Sequence, residues 1–303
     1  MTDVRILASG LGFPEGPVAL ADGSVVLTEI NGGWVTRVGA DGTVTRLGQP
    51  AGGPNGLAMA PEGDLILCNN GGSRYIPGHF AGQGPADDYE YGSVERVDPA
   101  TGARRLLFRS AGDHKLSAPN DIVFDRQGGY WFTDLGKRYA HHRDHGGLYH
   151  VAPGATAVQV MAYPFLSPNG VGLSPDERTV YVAETETARL WAFDVESPGV
   201  LRKAAGSPHG GRCIGGLLDY ARFDSLGVLE SGNIAVATLG TGMISVFTPR
   251  GGLSYQVKMP CTYPTNICFG GEDMRTAWVT LSGTGQLAVM RWPEPGLKLN
   301  FQR

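Results

Sequence analysis

Apolar residues in this chain fall in short runs separated by tight turns, and the pattern recurs six times. The copies read FPEGPVALADGSVVLTE from Phe13, PNGLAMAPEGDLILCNN from Pro54, PNDIVFDRQGGYWFTD from Pro119, PNGVGLSPDERTVYVAE from Pro168, FDSLGVLESGNIAVAT from Phe223 and PTNICFGGEDMRTAWVT from Pro264. Each predicts two short strands around a turn. A third strand follows every copy, beginning at Trp34, Ser93, Leu148, Arg189, Met243 and Gln286, with alternating side chains rich in β-branched and aromatic types. Segments such as TVTRLG and ARRLLF supply a fourth. Units of roughly 50 residues, each a small antiparallel sheet, predict an all-β, six-bladed β-propeller over residues 1–303 as one domain. Little chain follows the last copy, so VRILASG near the N-terminus is expected to close the sixth blade as its outer strand. No segment carries a sustained helical period.

Composition narrows the picture in the same direction. The 46 glycines and 20 prolines are about twice the usual share, which disfavours helix interiors. Apolar residues spread along the whole length argue against disorder. The net charge is -4 with no long run of either sign, so no basic footprint for nucleic acid is present. No apolar stretch reaches membrane-helix length. The start, MTDVRILASG, shows neither the basic nor the apolar part of a signal peptide, and a cytoplasmic location is expected. Cys68, Cys213, Cys261 and Cys268 form no C-x-x-C pair and read as buried thiols.

Common enzyme signatures are absent: no G-x-S-x-G elbow, no phosphate-binding loop, no H-E-x-x-H. The turn opening each repeat is more informative. In a propeller these turns ring one end of the central channel, and they carry Glu15, Asn55, Asn120, Asn169, Asp224 and Asn266. Carboxylates and amides converging from different blades make an oxygen-only site, which favours Ca2+ over Mg2+ or Mn2+, and these over Zn2+. P-N-G is also a common turn sequence, and Asn55 and Asn266 are read as turn residues. Glutamate is a poor turn former, so Glu15 reads as a ligand, as does Asp224 where the P-N pattern is replaced.

The set FPEGP, APND, SPNG and FDS on successive blades resembles the regucalcin/gluconolactonase family of six-bladed propellers, most closely its bacterial lactonase branch, over essentially the whole chain. The resemblance implies one catalytic divalent cation, usually Ca2+, held by Glu15, Asn169 and Asp224. It makes Asn120 a fourth ligand or substrate contact, and Asp224 the general base. Regucalcin-type members carry R-x-N-D-G where this chain has SAPND, so their sugar-binding arginine is missing here. A second, buried calcium known in phosphotriesterases of this architecture is not expected, because Gly227 stands at its ligand position.

The chemistry implied is hydrolysis of a small-molecule lactone to the hydroxy acid. Phosphotriester hydrolysis on the same site is an alternative, and a non-enzymatic calcium-binding propeller another. His114 and Lys115, just before APND, and Arg138 and Tyr139, just after the FTD strand, are candidate substrate contacts. His141, His142 and His145 read as a polar loop, and Trp131, Trp191 and Trp278 as packing between blades. The longest interval between repeats holds a glycine- and tyrosine-rich insertion at 70–92, whose functional reading is a lid.

Overall fold

The computed structural model describes residues 3–49, 51–76, 79 and 82–303. Six antiparallel sheets follow one another in chain order and close into a propeller. Blade one comprises Pro14–Ala19, Val25–Glu29, Trp34–Val38 and Val44–Leu47. Blade two comprises Pro54–Met59, Leu65–Asn69, Ser93–Val97 and Arg104–Phe108, and blade three Pro119–Phe124, Tyr130–Asp134, Gly146–Val151 and Gln159–Phe165. Blade four runs through Pro168–Leu173, Thr179–Glu184 and Arg189–Ser197. Its outer edge is shared by Val200–Arg202 and Arg212–Gly216. Blade five is Arg222–Val228, Ile234–Leu239, Met243–Phe247 and Leu253–Lys258.

Blade six is built from both ends of the sequence. Pro264–Gly270, Thr276–Leu281 and Gln286–Arg291 are completed by Arg5–Ser9, which pairs antiparallel with the third strand from Ser9–Gln286 to Arg5–Val289. The expected closure is observed, and no helix occurs among the described residues; none is therefore long and apolar enough to cross a membrane.

The core is divided among the six junctions between blades. Each of six buried apolar clusters draws its side chains from two neighbouring blades, including blades six and one. Trp131 and Trp191 occupy the junction of blades three and four, and Trp278 that of six and one. Phe165 meets Trp191 edge-on at 5.9 Å, an aromatic pairing that contributes about 0.5–1.5 kcal/mol beyond area burial. Of the four free cysteines, Cys68, Cys261 and Cys268 are buried as expected. Cys213 is exposed, because it lies on the short outer edge of blade four, where no further strand covers it.

The innermost strands are buried along almost their whole length. Each also breaks register near its start, for example between Glu15 and Val18, Pro119 and Ile122, and Phe223 and Leu226. Such irregularities re-aim side chains, here at the channel-side end of every blade. The glycine of P-N-G serves close approach rather than a turn. A Cβ at Gly56 would sit 2.5 Å from the Asn120 carbonyl oxygen, and one at Gly170 2.6 Å from the Leu226 nitrogen. Asn55 and Asn266 are buried strand residues, not turn residues.

The far end of the channel is closed by the C-terminal segment. Leu297 N donates to Val228 O, Asn300 Nδ2 to Phe124 O, and Gln302 Nε2 to Phe269 O. These three acceptors end, or nearly end, the inner strands of blades five, three and six.

Candidate active site

The six inner strands begin around a cavity of about 190 Å3. Glu15, Asn120 and Asn169, each the second residue of its strand, line it together with Asp224 and Asn55. All five are buried. The four residues expected to converge therefore come together from blades one, three, four and five. Asn266 lies beneath them and borders the cavity at the far end of the channel.

Polar contacts fix the orientation of the two carboxylates. Asn169 Nδ2 donates to Asp224 Oδ1 at 2.7 Å and approaches Thr185 Oγ1 at 3.1 Å. Asn266 Nδ2 and the Gly16 backbone N–H donate to Glu15 Oε2 at 3.0 and 2.9 Å. With both amide nitrogens engaged in blade-to-blade contacts, the Asn169 side-chain oxygen remains an acceptor with Ser225 Oγ at 3.5 Å.

The electrostatics of the pair are unfavourable as they stand. Burial raises Glu15 from 4.5 to about 7, against its hydrogen bonds. Burial and then the Glu15 charge push Asp224 well above the usual carboxylate range. Below them Asp121 is raised to about 7 by the same two causes in the same order, although Ile122 and Val171 donate backbone N–H groups to it. No lysine or arginine nitrogen lies within ion-pair distance of Glu15 or Asp224 among the described residues. Two buried like charges without a counter-ion, sharing a cavity with the amide side chains of Asn120 and Asn169, suit a hard divalent cation. Among the described residues no three His, Cys, Asp or Glu side chains gather in metal-binding geometry. Here amides would complete the set.

A supporting network escaped the sequence reading. The last residue of several second strands reaches back to the loop that leads into the inner strand of its own blade. Glu29 accepts from Gly12 N, Asn69 Oδ1 from Gly53 N, and Asp134 from Ser117 N and Ala118 N. One residue earlier, Thr28 and Thr133 donate their hydroxyls to the carbonyls of Asn55 and Asn169 in the following blade. The recurrent T-E and T-D endings were the available signal. They read as ordinary strand ends because the partner lies in another part of the sequence.

The cavity walls contain further charge. Arg138 lines the cavity, as do Lys137, Arg143, Glu186 and Arg222. Lys137 is buried, with Nζ donating to Asn70 O at 2.6 Å and Gly72 O at 2.8 Å and lying 4.6 Å from the Tyr89 ring centroid. It thereby ties the 70–92 insertion to blade three. Described insertion residues Asn70, Ser73, Tyr75, Gly82 and Gly84 line the cavity; Pro77, Gly78, Phe80 and Ala81 lie outside the described residues.

The other candidate contacts are placed elsewhere. His114 packs on Tyr163 at 4.2 Å and Lys115 Nζ lies 4.2 Å from the Tyr91 ring centroid, both on a separate two-stranded hairpin. Tyr139 stacks on His142 at 4.4 Å. None of these three lines the cavity.

A six-bladed propeller whose channel mouth gathers buried carboxylates and amides from five blades defines the structural class. Residues 13–283 match the family model described as SMP-30/Gluconolactonase/LRE-like region, and the chain belongs to this family. It is 23% identical to a gluconolactonase of Zymomonas mobilis over 93% of this chain and 79% of that protein. It is 27% identical to lactonase drp35 of Staphylococcus haemolyticus over 85% and 72%. Among solved structures, a Xanthomonas campestris gluconolactonase superposes with a TM-score of 0.76 at 25% identity, covering 96% of this chain and 90% of that one.

Proposed function

We propose that this protein hydrolyses lactones to hydroxy acids in the channel-mouth cavity, using one divalent cation held by Glu15, Asn120, Asn169 and Asp224. The observation that carries the reading is the sharing of one cavity by Glu15 and Asp224, both buried and both raised by burial, Asp224 also by the Glu15 charge. The relatives named gluconolactonase and lactonase support the reaction class. The all-oxygen donor set supports Ca2+ ahead of Mn2+, Mg2+ or Zn2+. When bound, such a cation supplies Lewis-acid charge and lowers the proton affinity of both carboxylates.

The chain's own residues do the rest. Asn169 holds Oδ1 of Asp224, which leaves Oδ2 to take a proton from water as general base. The water oxygen bonds to the lactone carbonyl carbon and the ring C–O bond breaks. The proton on Asp224 passes to the departing ring oxygen, so one water is consumed and one hydroxy acid forms. Asn120, on the cavity wall, completes the cation site or orients the substrate in this reading. A pH-indicator screen of lactones and phosphotriesters tests the reading, with Ca2+, Zn2+, Mn2+ and chelator compared. Metal-dependent opening of a lactone is expected. Turnover of phosphotriesters alone, or of nothing while Ca2+ binds, would replace it with the phosphotriesterase or the scaffold reading.

A further inference from the structure

Four cationic side chains line the cavity, Lys137, Arg138, Arg143 and Arg222, against the carboxylates Glu15, Asp224 and Glu186. Two of these arginines share one acid. Arg143 and Arg222 both reach Glu186 Oε1, at 3.2 and 2.9 Å. Glu186 can balance only one of them. The Nε atoms of both are buried and have no hydrogen-bond partner among the described residues.

Arg138 adds to the excess. It is exposed at the cavity and makes no ion pair or side-chain hydrogen bond among the described residues. Its backbone pairs antiparallel with that of Arg143, so the hairpin sets two arginines directly opposite each other. Like charges in that relation are destabilising. A negative group bound beside Arg138 would relieve that repulsion. A cation on Glu15 and Asp224 would increase the local positive excess further.

This bears on the arginine missing from the SAPND segment. Ala118 lines the cavity at the position where regucalcin-type members carry it. The wall at that position offers a methyl group, while the positive charge sits instead on the 138–143 hairpin and at Arg222.

We propose that the substrate of this enzyme is an anionic lactone, one carrying a carboxylate or comparable acid group apart from the ring ester, and that Arg138, Arg143 and Arg222 recognise that group. The proposal rests on the lactonase reading and deepens it. Charge-assisted hydrogen bonds to planar guanidinium groups favour a carboxylate strongly over a neutral hydroxyl.

The test separates binding from turnover. Calorimetry on the calcium-loaded protein compares glucarate, which carries a second carboxylate, with gluconate. Steady-state assays compare glucarolactone with gluconolactone in wild type and in Arg138→Gln. The expected result is glucarate binding at least about tenfold tighter than gluconate, and a kcat/KM ratio favouring glucarolactone by a similar factor. Arg138→Gln should reduce both preferences about tenfold, with Arg138→Lys retaining part of them, and raising salt from about 0.05 to 0.5 M should erode them. Equal binding of the two acids, or ratios unmoved by Arg138→Gln, would overturn the proposal. Failure to hydrolyse any lactone would overturn the lactonase reading instead, and the calorimetric comparison would still decide whether the cavity selects an added negative charge.

Discussion

The side-chain nitrogen of Asn169 stands 2.7 Å from Oδ1 of Asp224, joining blade four to blade five at the floor of the cavity. The same nitrogen approaches Thr185 at 3.1 Å. The amide is thus oriented by its own blade and by its neighbour, and one Asp224 oxygen is committed before any substrate arrives. The other oxygen is the one available for chemistry.

Asp224→Asn keeps an oxygen at that position and removes the base. Turnover of any lactone the wild type opens should fall by about 10²–10⁴-fold, while the fold, which rests on apolar clusters between blades, should persist. Single-turnover and steady-state rates measured beside circular dichroism check this. Undiminished turnover would leave another group as the source of the nucleophile.

Glu15→Gln removes one of two ligand charges but keeps a side chain able to pair with Asn266. Affinity of divalent sites follows ligand charge count, and Ca2+ binding should weaken by about tenfold or more. Calorimetric titration of the chelator-treated protein reads it directly. A variant with wild-type affinity would mean that Glu15 is not a ligand.

Thr133 ties the site together from the third blade. Its hydroxyl donates to the Asn169 carbonyl and accepts from Asp121 N at 3.2 Å. Thr133→Val leaves both buried groups without a partner, and unfolding free energy should drop by about 1–3 kcal/mol. Thr133→Ser, which preserves the hydroxyl, should recover most of the loss in a denaturant titration.

Lys137 provides the pH test. Burial depresses it from 10.5 to about 8, against the attraction of Asp134 and Asp144. Above pH 8 the folded chain holds a neutral amine, while the unfolded chain keeps its proton up to about 10.5. The unfolded state then binds more protons, so this group makes stability rise with pH through that window. Relative to Lys137→Met, the wild type should gain about 1–2 kcal/mol between pH 7.5 and 9.5. The variant should also loosen the insertion, whose carbonyls at Asn70 and Gly72 lose their donor; faster amide exchange there would register it. Parallel pH profiles for the two proteins would refute the assignment.

Repetition made the architecture legible in the sequence. Alternating apolar strands, D-G and E-G turns and six similar copies are local features, and local sterics and burial fix strands and turns wherever they occur. Blade closure by Arg5–Ser9 was equally visible, since the last copy lacked an outer strand. Glu15 and Asp224 stood out because each breaks the repeat at a position where a turn residue would serve.

What the tertiary structure decided depends on distance across blades. Asn55 became a buried strand residue because Gly56 lets the neighbouring inner strand approach to near contact, which no spacing rule reports. His114 and Lys115 are close to Asn120 in sequence, but a two-stranded hairpin carries them onto tyrosines away from the cavity. Arg143, Glu186 and Arg222 lie on three separate segments, and the packing of blades three, four and five makes them one charged wall. Local order follows from each residue's own backbone and its neighbours in sequence. The balance of charge at the channel mouth follows from which blades meet, a property of the closed ring and of no single repeat.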